Sequence, residues 1–354
     1  MTSIRKRGEE IRQFILENVE SNPEKIVTFT INKFKITRQA VYRHIKHLVA
    51  QEALIRPKSG RYELRPQEEW HTTIAIAENP QEDVVWRTVI AERIGQLPDN
   101  TLSIWQYGFT EIFNNVVDHS GSEDVWINIK KTAQSTEMNI WDHGIGIFNK
   151  IRSAMNLLDE RHAVLELTKG KLTTDPKGHT GEGIFFTSRM FDTFYTLSGE
   201  VFLSHSYGEE EDWILQDREN HNGTWISMKL KNTTSRTTKE IFDKFRSDDD
   251  FGFTKTVVPV RLAQYGNEKL ISRSQAKRLL ERIDRFKTVL FDFTEVETIG
   301  QAFTDEVFRV FVNEHPQIAI IPINANADVM QMVKKAQSGI EENQGLPLDP
   351  QGQI

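Results

Sequence analysis

The chain has 354 residues, a length that excludes a single small module. Its residues are 38% hydrophobic and 27% charged, a composition that excludes a disordered or fibrous protein. It contains no cysteine, which excludes a disulfide framework, a Cys-ligated metal centre and thiol catalysis. The net charge is unevenly spread: residues 1–70 carry +5, from 14 Lys or Arg and 9 Asp or Glu, and the other residues carry −12. This distribution is expected when only one part of a protein meets nucleic acid.

Neither a signal peptide nor a membrane span is expected from the sequence. The N-terminus runs from basic residues into Glu9 and Glu10 without an apolar segment. No apolar run approaches the roughly 18 residues that are needed to cross a bilayer. We therefore expect a cytoplasmic protein with no membrane contact.

Residues 1–70 have the pattern of helices followed by a hairpin. Apolar residues at helical spacing predict a first helix that ends near Asn18, and Thr37 is a suitable N-cap for a second clear helix. The apolar stripe of that second helix comprises Ala40, Val41, Ile45, Leu48 and Val49. Short strands at 53–55 and 62–64 are predicted around a turn.

The run KITRQAVYRHIKHLVAQEALIR resembles the winged-helix DNA-binding domains of bacterial regulators. The resemblance implies double-stranded DNA as a partner. It places five residues in the major groove: Arg38, Gln39, Tyr42, Arg43 and Lys46. Lys58 and Arg61, at the hairpin tip, would contact phosphates or the minor groove. The alternative is a solvated helix face in a winged helix that docks on protein.

Four short sequence motifs, called boxes below, follow in order. The first lies on a predicted helix and the second on a predicted strand. Glu111 and Asn115 lie four residues apart and share one face of a predicted helix, with His119 one further turn on. The strand pattern MNIWDHGIGI then delivers Asp142 into a loop with two glycines. A ligand can lie against the backbone there, because glycine has no Cβ.

The other two boxes are a second glycine loop and a strand. The run KGHTGEGI precedes a helical stretch and offers backbone N–H groups and a positive helix end to an anion. Its candidate ligand-binding residues are Lys177, Gly178, Gly181 and Gly183. Thr224, directly after Gly223, begins the last strand of the set.

In this order the boxes resemble the nucleotide-binding domain of the GHKL superfamily of ATPases, and the first box is nearest that of the anti-sigma-factor serine kinases. The resemblance covers roughly residues 80–231 and implies an α/β sandwich, with ATP and Mg²⁺ as ligands. It implies that Asn115 coordinates Mg²⁺ and that Glu111 orients or deprotonates the attacking water or hydroxyl. Asp142, supported by Thr224, would accept a hydrogen bond from adenine.

The same resemblance assigns roles to the glycine loops and to the segment between them. Gly144 and Gly146 would admit the base, and the N–H groups of the second loop would surround the triphosphate. The segment from Phe148 to Lys177 would be a mobile lid. Its cations available for closing over phosphate are Lys169, Lys171 and Lys177. Glu182 departs from the family pattern, because its carboxylate falls where phosphates are expected. The resemblance therefore implies ATP binding more directly than it implies ATP hydrolysis.

A small α/β module follows, in which alternating strands and helices predict parallel strand pairing. The run TVLFDFTEVETIGQAFTDEVFRVF resembles a STAS-like domain, the fold of anti-sigma-factor antagonists. The phosphoacceptor serine of that family is absent, since the turn holds Gly300, Gln301 and Ala302, and Thr304 is a remote substitute. The expected role is docking against the ATP domain, in the same chain or in a second copy.

These resemblances together predict a multidomain α/β protein. Its parts are a winged helix-turn-helix (1–70), a GHKL (Bergerat) α/β sandwich (71–231), a linker (232–250), a STAS-like domain (251–337) and a disordered tail (338–354). The predicted function is a Mg-ATP-binding regulator, a slow ATPase that couples nucleotide state to DNA or partner binding. A serine/threonine protein kinase of the anti-sigma-factor type and a non-catalytic scaffold are the alternatives. A homodimer is compatible with the resemblance.

Overall fold

The computed structural model describes residues 3–172, 181–208, 213–247, 250–264 and 269–344. The chain forms two compact units. The first comprises Met1–His143, Phe191–Phe194 and Trp225–Thr237, and the second comprises Gly144–Met190, Tyr195–Thr224 and Thr238–Ile354. In the part of the chain that the structure describes, no helix is long and apolar enough to span a membrane.

The first unit begins with three helices and an antiparallel hairpin. The bounds are α1 (Ser3–Asn18), α2 (Ile26–Phe34), α3 (Arg38–Ala50), β1 (Leu54–Lys58) and β2 (Arg61–Leu64). The end of α1 and the start of α3 are therefore as predicted. Thr37 caps α3, and its hydroxyl oxygen accepts the backbone N–H of Ala40 at 3.2 Å.

These helices share one apolar core. Ile15 of α1 and Val41 and Ile45 of α3 are buried in it. Val49, which was expected in the apolar stripe of α3, is instead 39% exposed. It lies about 100° further around the helix than the buried Leu48, which carries it beyond the core-facing side.

A five-stranded sheet has the order β3-β4-β5-β7-β6. The strands are β3 (Glu68–Ala75), β4 (Asp124–Lys131), β5 (Ser135–Asp142), β6 (Thr193–Ser206) and β7 (Trp213–Lys231). β3, β4 and β5 pair antiparallel. Alternate residues of β4, including Val125 and Ile127, are fully buried, which is the periodicity of a sheet with one face on the core.

The helices of the first unit's core are interrupted by π turns. α4 (Glu82–Val85) continues through a π turn (Trp86–Ile90) into α5 (Ala91–Ile94), and α6 (Asp99–Asn115) ends in a π turn (Val116–Ser120). Trp105 and Phe109 of α6 are fully buried. α6 is therefore a core helix, not a surface helix.

The second unit opens with α7 (Ile147–Met155), α8 (Glu160–Lys169) and α9 (Gly183–Met190). Phe148 of α7 and Val164 and Leu167 of α8 form a buried cluster with Val201 and Leu203 of β6. The segment that the GHKL resemblance makes a mobile lid therefore contains two helices with their own core contacts.

The C-terminal part of the second unit alternates strands and helices. Its elements are α10 (Thr238–Lys244), β8 (Arg246–Ser247), β9 (Asp250–Phe253), β10 (Lys255–Pro259), α11 (Arg273–Leu280), β11 (Thr288–Asp292), α12 (Gln301–Asp305), α13 (Phe311–Glu314), β12 (Ala319–Ile323) and α14 (Ala327–Gln344). β10, β11 and β12 form a parallel sheet, so the predicted parallel pairing is confirmed. Ser272 begins α11 with a capping box that includes Gln275.

The C-terminal segment predicted to be disordered, residues 338–354, is helical at its start. α14 continues to Gln344, so the first residues of the segment predicted to be disordered from Ser338 are helical. The helix begins at Ala327 and runs through Gly339, so the glycine that follows Ser338 does not end it. Residues 345–354 lie outside the described residues.

Candidate functional site

Glu111 and Asn115 lie on α6, as the spacing predicts, and both are half-buried. Asn115 is the last residue of α6 before the π turn that holds His119. A π turn has more residues per turn than an α-helix, so His119 does not keep the regular one-turn spacing expected for it. The helix itself is held by buried neighbours such as Ile112 and Phe113.

Asp142 is the last residue of β5 and is only 3% exposed. It is paired with Val125 in the register of β4 and β5. A carboxylate is rarely buried this deeply without a specific interaction, because burial disfavours its charged form. Among the described polar residues predicted to bind nucleotide, Asp142 is the most deeply buried.

The structure brings Gly146 and Thr224 together. The hydroxyl oxygen of Thr224, itself buried, accepts the backbone N–H of Ile147 at 2.9 Å. Gly146 has φ +79° and caps α7, and a Cβ added there would lie 2.6 Å from the Ser198 hydroxyl and 3.1 Å from the Gly223 carbonyl oxygen. Glycine at 146 is therefore required by packing, whether or not a ligand lies against it.

Gly144, half-buried, belongs to the same loop, and the second glycine loop is described only in part. Lys177 and Gly178 lie outside the described residues. Gly181 has φ +73°, and its carbonyl oxygen accepts the backbone N–H of Leu172 at 2.9 Å. Gly183 is the first residue of α9, as predicted for a loop that opens onto a helix.

Glu182, the residue that departs from the GHKL scheme, is half-buried. Its backbone carbonyl accepts the N–H of Phe186 at 3.0 Å, so it sits at the start of α9. A carboxylate at a helix N-terminus is stabilised by the helix dipole. The same dipole would favour a bound phosphate, so the two would compete for this position.

Two of the three lid lysines, Lys169 and Lys171, make hydrogen bonds to other parts of the chain. Lys169 is 1% exposed, and its ammonium donates to Glu166 Oε1 at 2.6 Å, to the Arg278 carbonyl at 3.1 Å and to the Glu281 carbonyl at 2.9 Å. All three of its donors are thereby used. Lys171 donates to the Arg285 carbonyl at 3.0 Å.

This arrangement follows from the end of α11. A helix leaves its last carbonyls without intrahelical partners, and a cation near the C-terminus offsets the helix dipole. The carbonyls of Arg278 and Glu281 lie there, and Lys169 caps them from α8. The C-terminal module therefore docks on α8 within this chain.

A cluster of charges surrounds Lys169. Glu166 is 2% exposed, and its second oxygen accepts from Arg282 at 2.8 Å. Burial lowers the pKa of Lys169, and the neighbouring carboxylate of Glu166 opposes that shift. His162, one turn before Glu166, is 6% exposed, and burial lowers the pKa of its imidazole.

Sequence reasoning did not select His162, Glu166, Glu281 or Arg282. The spacing of His162, Glu166 and Lys169 on one helix was a signal, because three ionisable residues at helical spacing interrupt an otherwise apolar stretch. Glu281 and Arg282, which follow α11, could not be paired with these α8 residues from spacing alone.

The five α3 residues predicted to contact DNA are exposed and lie away from the buried face of the helix. Arg38, Gln39, Tyr42, Arg43 and Lys46 are all exposed. The wing cations are partly neutralised: Lys58 lies 3.0 Å from Glu24, and Arg61 lies 2.5 Å from Glu63 and 3.9 Å from Glu24. The hydrogen bond from Lys58 lowers the pKa of Glu24. α3 therefore presents the less compensated positive surface.

Thr304, the remote substitute for the missing phosphoacceptor, is 1% exposed. Its hydroxyl donates to the Gly300 carbonyl at 2.8 Å. A buried hydroxyl that is already bonded within its helix is not accessible to a kinase. The structure therefore removes Thr304 from the candidate modification sites.

Residues 275–330 match the family described as STAS-like domain of unknown function (DUF4325). No GHKL or winged-helix family matches the chain, so those two resemblances stay predictions. No curated protein matches the chain. The chain is thus a mixed α/β multidomain protein whose C-terminal part contains a STAS-like domain.

Proposed function

We propose that this protein is a Mg-ATP-responsive regulator in which nucleotide binding alters how the STAS-like domain and the N-terminal helices are presented. The observation that carries the proposal is the buried carboxylate of Asp142 at the end of β5. It is followed along the chain by a loop that Thr224 fixes through the N–H of Ile147. A buried acceptor that directly precedes a glycine loop in the sequence suits the amino group of adenine.

The residues present fit the nucleotide in part. Asn115 and Glu111 lie on one helix and carry the oxygen ligands that Mg²⁺ prefers. When bound, the metal would supply charge neutralisation at the phosphates. Lys169 and Lys171 are used in other contacts, so the described part of the lid offers neither lysine to the triphosphate.

The link from nucleotide to the STAS-like domain is α8. This helix belongs to the segment that the GHKL resemblance makes a lid, and it caps α11 through Lys169. If a ligand moves α8, α11 either moves with it or loses its hydrogen bonds to Lys169. In both cases ATP shifts the equilibrium between the two positions of α8 only as far as its affinities for the two states differ.

The first test is thermal unfolding of the full chain with and without Mg-ATP. At a hundredfold excess over Kd, binding should add about 2.7 kcal/mol to the free energy of unfolding. Asp142→Asn should remove this stabilisation, and Glu111→Ala should keep it and lose turnover. Asp118→Asn, an exposed position after α6, is the matched control.

Three outcomes separate the proposal from its rivals. Equal stabilisation of the wild type and Asp142→Asn would contradict the predicted site. Transfer of a radiolabelled γ-phosphate to a partner protein, lost in Glu111→Ala, would make the protein a kinase. Binding without turnover and without any effect on DNA would leave a scaffold.

DNA binding is tested by titrating duplex DNA against the full chain at several salt concentrations. Arg43→Ala and Lys46→Ala should each weaken binding and lower the slope of log K against log salt by about 1 if each side chain meets one phosphate. Arg65→Ala, which removes a partly exposed cation paired with Glu52, should leave the slope unchanged. No retardation of duplex at low salt would remove DNA from the proposal.

A further inference from the structure

A cavity of about 480 Å³ lies between the end of α7 and the C-terminal end of α11. Its lining combines apolar with polar and charged residues: Met155, Asn156, Leu157, Leu158, His162, Arg278, Glu281 and Arg282. A cavity that combines apolar side chains with a few polar ones has the general composition of a small-molecule site.

His162 is the polar group least satisfied in this cavity. It is 6% exposed, and neither of its ring nitrogens makes a hydrogen bond within the described part of the chain. Its Nε2 lies 3.3 Å from Glu281 and 3.7 Å from Glu166 without hydrogen-bond geometry. An unsatisfied buried polar group costs about 1–3 kcal/mol, so this imidazole is set to accept a further partner.

The charges around His162 favour an anion over a cation. They come from α8, from the end of α11 and from the residues after it: Glu166, Lys169, Arg278, Glu281 and Arg282. Two are negative and three are positive, so the cluster carries a net charge of +1 while the imidazole is neutral.

A metal ion would also find ligands, since His162, Glu166 and Glu281 offer atoms within 4.8 Å of one another. Both oxygens of Glu166 are already committed, to Lys169 and to Arg282. A divalent cation would raise the local charge further and displace a buried ion pair, which is unfavourable.

We propose that this cavity binds a small oxyanion-bearing ligand, a carboxylate or a phosphate, held by the guanidinium of Arg278 and by His162 in its protonated form. The apolar residues at the end of α7 would receive the ligand's short carbon body. Glu281, whose side chain is 43% exposed, can rotate into solvent as the anion enters. The proposal does not depend on nucleotide binding.

Binding should take up a proton. The unliganded imidazole is neutral because burial lowers its pKa, and an anion beside it favours the charged form. Affinity should therefore rise as pH falls, by up to roughly tenfold for each pH unit while one proton is taken up. Calorimetry in two buffers of different ionisation enthalpy measures that proton directly.

The test uses the full chain, titrated with inorganic phosphate and with succinate at constant ionic strength. The two ligands distinguish a phosphate from a carboxylate ligand. We expect one of them to raise the melting temperature and to bind with proton uptake. Arg278→Gln and His162→Gln should each weaken binding at least about tenfold, the effect of losing one charge-assisted hydrogen bond.

Lys277→Gln is the matched control, because it removes the same charge from the preceding position of α11, where the side chain is 70% exposed. It should leave the affinity unchanged. Should His162→Gln fail to fold, Arg278→Gln and the proton uptake of the wild type still decide. The proposal is wrong if neither anion binds, if binding survives both variants, or if Zn²⁺ stabilises the protein where anions do not.

Discussion

Replacement of Lys169 by methionine should lower the free energy of unfolding by about 3–5 kcal/mol, the cost of removing one partner of a buried ion pair. The expectation rests on burial and on geometry. Lys169 is 1% exposed, and the substitution leaves Glu166 Oε1 and two carbonyls at the end of α11 without the ammonium that donates to them, while Arg282 still donates to Glu166 Oε2. Urea unfolding followed by circular dichroism measures the change.

The control for this substitution is Lys277→Met. Its ammonium is exposed and lies 3.9 Å from Glu306, so its removal should change the free energy of unfolding by less than about 1 kcal/mol. A loss at Lys169 no larger than the loss at Lys277 would show that the C-terminal module is not held on α8 by this contact.

Gly146→Ala should cost about 2–5 kcal/mol, because a strained backbone and an overfilled site add their effects. The backbone of Gly146 has φ +79° and ψ 134°, a region that residues with a Cβ avoid. The new methyl group would also meet the Ser198 hydroxyl at 2.6 Å, and that hydroxyl is held by a 2.8 Å bond to the Gly223 carbonyl. Chemical denaturation without nucleotide measures the loss.

Gly121→Ala is the comparison for a positive φ without a steric contact. Gly121 also has a positive φ, +68°, but a Cβ there would meet nothing within 4 Å. Its cost should be about 1–2 kcal/mol, that of the left-handed backbone alone. Equal losses at the two positions would mean that the packing around Gly146 is loose, and that its glycine is kept for another reason, such as a ligand.

Features specified by neighbours in sequence were predictable. Thr37 as the N-cap of α3 follows from a hydroxyl directly before an apolar stripe. The parallel strands around β11 follow from apolar runs that alternate with helical ones. Asp142 at the end of its strand follows from the same kind of local pattern.

The role of Lys169 was not predictable in this way. Two of its three acceptors are main-chain carbonyls that lie 109 and 112 residues further along the chain. A carbonyl is present at every residue and leaves no mark in the sequence. A lysine near a glycine loop was therefore assigned to phosphate. Glu24 was missed for a similar reason, because it approaches Lys58 only once α2 and the hairpin have packed.

The two units are interleaved along the chain. β6 and β7 each begin in one unit and end in the other, since Phe191–Phe194 and Trp225–Thr237 belong to the first unit and Tyr195–Thr224 to the second. No single proteolytic cut can release either unit intact. A fragment that stops at Lys231 would keep α8 and lose α11, and would expose Lys169 and Glu166 to solvent. Activities measured on such fragments would therefore describe a damaged second unit.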